Sequence, residues 1–147
     1  MKPKCAIAAA LLVPIALVCL AGCGGPAARK AQHFQRGERY FAADDYEKAE
    51  LEFRNALQID PTFHAAQLEL GRVDEKLGKP GIALRRYLAV IEADAGNAHA
   101  RVLAGRLYVV GGAPHRALDV IEPVLAQNPA DGELLTVRAA ARGELGD

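Results

Sequence analysis

The stretch GERYFAADDYEKAELEFRNALQIDP, Gly37 to Pro61, decides how the rest of the chain is read. Gly37, Tyr40, Ala49, Phe53, Ala56 and Pro61 punctuate two amphipathic helical patterns, split by the turn-forming pair Asp44-Asp45. Shifting the frame so that Gly37 falls on Gly71 brings Ala83 and Tyr87 onto the same marks; a second, equal shift brings Gly105, Tyr108, Ala117 and Pro129, with no gap. A fixed period of this length signals an α-solenoid, in which each unit buries its apolar face only against its neighbours. The frames are 30–63, 64–97 and 98–131, with a partial fourth over 132–147. Helices are expected at 27–43, 46–59, 63–77, 80–93, 97–110, 114–127 and 132–145.

Each mark has a physical reason. Gly37, Gly71 and Gly105 lie mid-helix, which costs ~1 kcal/mol relative to Ala and makes sense where another helix approaches closely. Ala49, Ala83 and Ala117 supply the opposing small surface, while Phe53, Tyr87 and the smaller Ile121 fill the hollow between units. Asp45 is placed to cap the helix from Tyr46; Gly78 and Gly111-Gly112 end helices before Pro80 and Pro114 open the next ones. Pro123 falls inside a helix, where it cannot donate to Asp119, so a bend is expected there.

These marks resemble the tetratricopeptide repeat (TPR), a 34-residue helix–turn–helix. The resemblance implies an all-α solenoid of antiparallel helix pairs, three repeats and a partial fourth, over residues 27–147. Three positions depart from the family pattern: His33 stands where Trp is usual, Arg36 where Leu is usual, and Asp74 where Tyr is usual. The first helix is therefore expected to pack loosely. The final Leu145-Gly146-Asp147 aligns with the turn Leu77-Gly78-Lys79, which leaves two readings: part of a longer repeat array, the favoured one, or a seventh helix that caps the stack, with Arg138 and Arg142 solvating the face otherwise turned to a second helix.

The first residues have a different character. Lys2 and Lys4 precede a 16-residue apolar run, Cys5 to Leu20, interrupted by Pro14. That is the order of a signal peptide, and the run falls short of the ~20 apolar residues of a membrane-spanning helix. Leu20-Ala21-Gly22-Cys23 resembles the bacterial lipobox. The resemblance implies cleavage after residue 22, acylation (palmitate among the chains) of Cys23, and a short tether over 23–26. Several acyl chains hold a protein to a membrane where one is marginal. Gly24 rather than Asp follows the cysteine, which in the lipoprotein family implies the outer membrane, facing the periplasm. The tether reaches only ~10–14 Å, and Arg29, His33 and Arg36 share one sector of the first helix, read first as a solvated cap on the end of the stack and second as a contact for lipid phosphates.

Composition excludes several classes. The chain has 18 basic and 18 acidic residues, and removing residues 1–22 leaves a net charge of −2, giving no long-range field toward nucleic acid. Cys5, Cys19 and Cys23 form no disulfide framework, and His33, His64, His99 and His115 are never three or four residues apart, so neither metal nor cofactor is expected. No phosphate loop, nucleophile elbow or zinc-protease helix occurs. A non-enzyme follows.

The tetratricopeptide resemblance implies instead a concave groove, lined by the first helix of each pair, that receives a protein or peptide partner. Carrying the groove positions across gives Phe34, Glu38, Phe41 and Ala42; Leu68, Arg72, Glu75 and Lys76; and His99, Val102, Arg106, Val109 and Val110, each apolar one of which is equally placed to complete the core between helices. Phe34 and Glu38 stand where the chaperone-binding carboxylate clamp needs Lys and Asn, so that specialisation is not expected. Together the two resemblances imply a membrane-anchored scaffold in an envelope assembly, such as pilus secretin assembly or exopolysaccharide export. The alternative is the docking module of a larger envelope enzyme.

Overall fold

The computed structural model describes residues 25–146, and all regular structure among them is helical. The helices are α1 (Pro26–Ala42), α2 (Tyr46–Ile59), α3 (His64–Lys76), α4 (Pro80–Ala93), α5 (Ala98–Val110), α6 (Pro114–Leu125) and α7 (Gly132–Leu145). Short connections fold α1/α2, α3/α4 and α5/α6 into antiparallel pairs, and the pairs stack in chain order. The expected solenoid is what forms. The expectations for residues 1–24, including the signal peptide and acylated Cys23, lie outside the described residues. Among the described residues no helix is long and apolar enough to cross a membrane.

Helix ends repeat as strictly as the core. Asp44, Gly78, Gly112 and Gly146 have φ of 57°, 72°, 67° and 81°, and each stands one full repeat beyond the last. A left-handed residue lets the chain close the helix: the N–H of Asp45 donates to the Tyr40 carbonyl at 2.9 Å, Lys79 to Asp74 and Ala113 to Tyr108 each at 2.8 Å. This is the Schellman closure, which satisfies carbonyls the helix end would leave open. Starts are fixed by Pro26, Pro80 and Pro114 in the first turn, and by Asp45, Asn97 and Asp131, whose side chains accept from the next turn's N–H groups.

The glycine crossings are tight. A methyl built on Gly37 would stand 2.5 Å from Phe53 Cε1, and one on Gly71 2.4 Å from Tyr87 Cε1. At Gly105 the smaller Ile121 leaves room for Val137 of α7, whose Cγ1 would lie 2.8 Å from the added carbon. Ala49, Ala83 and Ala117 are fully buried opposite. Three apolar clusters result, each bridging successive units: Phe53 with Leu70 and Val73, Tyr87 with Leu103 and Ala104, Ile121 with Leu134 and Val137. The stack is held by these junctions.

Two expectations change. The first helix is not loosely packed: His33 Nδ1 donates to Glu52 Oε2 at 2.7 Å, and Arg36 Nε lies 3.2 Å from the same oxygen. Having donated there, Nδ1 has no lone pair for Arg36 Nη2, 2.9 Å away. Charges thus replace the apolar contacts that Trp and Leu would make, and His33 and Arg36 turn onto α2 rather than toward lipid phosphates. The second change is at Pro123, where α6 ends two residues later, at Leu125, instead of continuing to 127. Without a donor at 123 the last turn is weakened and closes early.

Departures from the repeat pattern deeper in the stack find hydrogen-bond partners, whereas the buried Arg36 Nε, close as it is to Glu52, makes no hydrogen bond. Arg86 Nε donates to the buried Asp74 Oδ2 at 2.6 Å. Buried Arg101 donates to the carbonyls of Ala95, at 2.9 Å, and Val120. At the outer face of α1, Gln32, Gln35 and Arg39 are exposed, whereas Ala66, Ala100, Leu103 and Val73, in register with them, are buried. Polar residues solvate this end of the core.

Candidate functional site

The first helices of the pairs, α1, α3 and α5, stand side by side with α7, and side chains cross between them. The repeat register sets the columns: Glu38, Arg72, Arg106 and Ala140 in one, Phe41, Glu75 and Val109 in another, Phe34, Leu68, Val102 and Thr136 in a third. Their environments differ sharply from unit to unit.

Around Phe34 the space between the helices is filled by the protein itself. Phe34 packs its ring 5.6 Å from Phe53 and 5.0 Å from Phe63, and Lys30 Nζ, paired with Asp60 at 2.6 Å, lies over the Phe63 ring. Leu68 is buried with Tyr87 and Leu103. Leu68 therefore completes the core, and Phe34 is half-buried against it. Their position in the repeat is the same as that of Val102; what differs is the bulk of the neighbours, which no single residue reveals. Phe41 is half-buried against Tyr46, with the Arg72 guanidinium 4.7 Å from its ring centre. Glu38 is exposed beside a shallow hollow with Gln35, Arg39 and Ala42.

The middle is occupied by charge pairs. Arg72 Nη1 donates to both Glu69 oxygens, at 3.0 and 2.9 Å. Glu75 accepts from the buried Tyr87 hydroxyl at 2.6 Å and from Arg106 Nη2 at 3.2 Å, so one carboxylate joins α3, α4 and α5. Burial, and then the Glu75 carboxylate, push the Tyr87 phenol well above its ordinary range. Glu75 is therefore a structural tie rather than a free contact for a partner. Lys76 and His99 are exposed.

An open site remains between α5 and α7. Val102, Arg106, Val109 and Val110 face Glu133, Thr136, Val137 and Ala140 across a cleft of about 420 Å³. Val110 is 80% exposed and Arg106 53%. The groove positions expected from the sequence supply only the α5 wall; the α7 wall lies one further repeat step along, which carries His99, Val102 and Arg106 onto Glu133, Thr136 and Ala140. Chemically the cleft offers an aliphatic floor with a cation along one edge and an acid at the other. Among the described residues no group of three His, Cys, Asp or Glu side chains could hold a metal.

The architecture is a tetratricopeptide-type α-solenoid. Residues 31–63 match the tetratricopeptide repeat family. Solved structures share the whole stack. The first tetratricopeptide domain of Spaghetti (RPAP3), bound to the HSP90 peptide SRMEEVD, is 16% identical with a TM-score of 0.73, covering 81% of this chain and 94% of that one. The type III secretion chaperone SycD of Yersinia enterocolitica, in complex with a peptide of the translocator YopD, is 16% identical with a TM-score of 0.65, over 79% and 88% of the two chains. PcrH of Pseudomonas aeruginosa is 20% identical with a TM-score of 0.66, over 88% and 97%. Identities this low establish the fold alone. No curated protein matches the sequence significantly.

Proposed function

We propose that the chain is a lipid-anchored scaffold of the bacterial envelope, held at the outer membrane through acylated Cys23, that captures a segment of a partner protein on the inner face of its solenoid. The observation that carries the binding half is the cleft between α5 and α7, where Val102, Val109 and Val110 form an open aliphatic wall beside Arg106. Burying a few branched side chains of a partner there provides affinity, and the flanking Arg106 and Glu133 orient the segment. Spaghetti and SycD each hold a peptide on the same fold, which supports the reading. Of the envelope roles, pilus secretin assembly and exopolysaccharide export fit an array that begins directly after a lipobox. Catalysis is left to the partner.

Two variants test the halves separately. Cys23→Ser leaves an unprocessed precursor that takes up no labelled palmitate; mature, labelled protein in that variant contradicts the anchor. Val102→Asp with Val109→Asp abolishes partner capture while helical circular dichroism is kept; unchanged capture places binding elsewhere.

A further inference from the structure

The two walls of the α5–α7 cleft carry opposite charges, and each charge has unused capacity. On α5, Arg106 engages Glu75 through Nη2 alone, at 3.2 Å to both carboxylate oxygens. A guanidinium has five N–H donors, and those on Nε and Nη1 meet no acceptor among the described residues. On α7, Glu133 is exposed in the first turn, and its carboxylate pairs with no cation among the described residues. It is not needed as a cap: the Asp131 side chain already accepts from the N–H groups of Glu133 and Leu134.

The repeat register sets how far apart the two charges stand. Arg106 is level with Ala140, and Glu133 lies seven residues before Ala140 on α7, about 10 Å along the helix axis. Between those levels lie Val102 and Val137, the aliphatic floor. The opening does not depend on what packs beyond α7. Second helices cross the first helices at Gly37 and Gly71, under Phe53 and Tyr87; the equivalent position on α7 is Ala139, which does not line the cleft.

We infer that the cleft takes an extended segment of a partner protein with an acidic, an aliphatic and a basic side chain at alternate positions, the acid on Arg106 and the base on Glu133. This rests on the scaffold reading above and names the chemistry of the segment that the site selects. Alternate side chains of an extended chain point to one face. Four residue steps at ~3.3 Å span ~13 Å, which flexible Glu and Lys arms shorten onto charges about 10 Å apart. The aliphatic side chain between them then falls on Val102 and Val137. A whole helix, about 10–12 Å across, is too wide to enter between helices packed ~8–10 Å apart. A segment with two like charges leaves one wall facing its own sign.

The probes are fluorescein-labelled peptides built around Glu-Thr-Leu-Thr-Lys, titrated into the full chain by fluorescence anisotropy. Control peptides carry Gln for the acid, Gln for the base, or the same charge at both positions. Each Gln peptide is expected to bind about threefold more weakly, and each like-charged peptide about tenfold. In Arg106→Gln the acid is expected to stop mattering while the base still counts, and in Glu133→Gln the reverse, with helical circular dichroism unchanged. Peptides that bind alike whatever their charges, or charge preferences that survive both substitutions, overturn the inference; loss of that binding in Val102→Asp would still keep the cleft as the partner site. Absence of binding by every peptide also overturns it, and the scaffold reading is then decided apart from it, by partner capture with Val102→Asp and Val109→Asp.

Discussion

The ring of Tyr87 lies across Gly71 so closely that one methyl on the glycine would stand 2.4 Å from Cε1. Helix propensity alone favours Ala here by ~1 kcal/mol. The buried ring has no room to withdraw, so overpacking decides the sign. Gly71→Ala is expected to destabilise the chain by ~1–3 kcal/mol, measured by urea unfolding. Stabilisation would place the crossing elsewhere.

The Tyr87 hydroxyl gives a second prediction, read by pH. Its folded pKa is raised above the ordinary 10.0 by burial first and the Glu75 carboxylate second. The unfolded chain gives up this proton near pH 10, while the folded chain keeps it. The contribution is therefore whole below about pH 10 and declines as pH climbs above it. Tyr87→Phe should cost ~1.5–3 kcal/mol at neutral pH through loss of a hydrogen bond to a charged acceptor. The gap between wild type and variant should narrow above pH 10. A gap that widens there would contradict the assignment.

Asp74 and Arg86 yield a third. Removing only the arginine strands a carboxylate that is 2% exposed. Arg86→Ala is expected to cost ~3 kcal/mol. Replacing both residues, Asp74→Leu with Arg86→Leu, should restore most of that, since a packed apolar pair substitutes well for a buried ionic one. A double variant as unstable as the single one would show that the pair does more than satisfy itself.

Left-handed helix closures give a fourth. Gly78 and Gly112 have φ of 72° and 67° with open space around them, so a side chain meets backbone strain and no clash. Gly78→Ala and Gly112→Ala should each cost ~1–2 kcal/mol by thermal melting. Asp44, at 57° in the same register, shows that a polar residue is tolerated.

Fold and period were legible because the information is local and repeated. Gly37, Ala49 and Phe53 announce a helix crossing, and each repeat step reproduces it. The polar junctions were not. His33, Arg36 and Asp74 look like defects when compared with an apolar pattern, and only the structure brings Glu52 and Arg86 across to meet them. The groove was half legible. Register placed Phe34, Leu68 and Val102 in one column, but burial depends on what packs above each; Phe63 and Leu103 pack on the first two, while Val102 stays half-buried at the α5–α7 cleft. Glu75 reads as an exposed acid because its partners, Tyr87 and Arg106, lie 12 and 31 residues away.

The most direct measurement is site-specific photocrosslinking in intact cells, with the photoreactive residue placed at Val109 in the α5–α7 cleft or at Leu51, 58% exposed on α2. A discrete partner band from Val109, lost on Val102→Asp and absent from Leu51, is the result expected of a scaffold that binds through this cleft. A band from Leu51 with none from Val109 would contradict it.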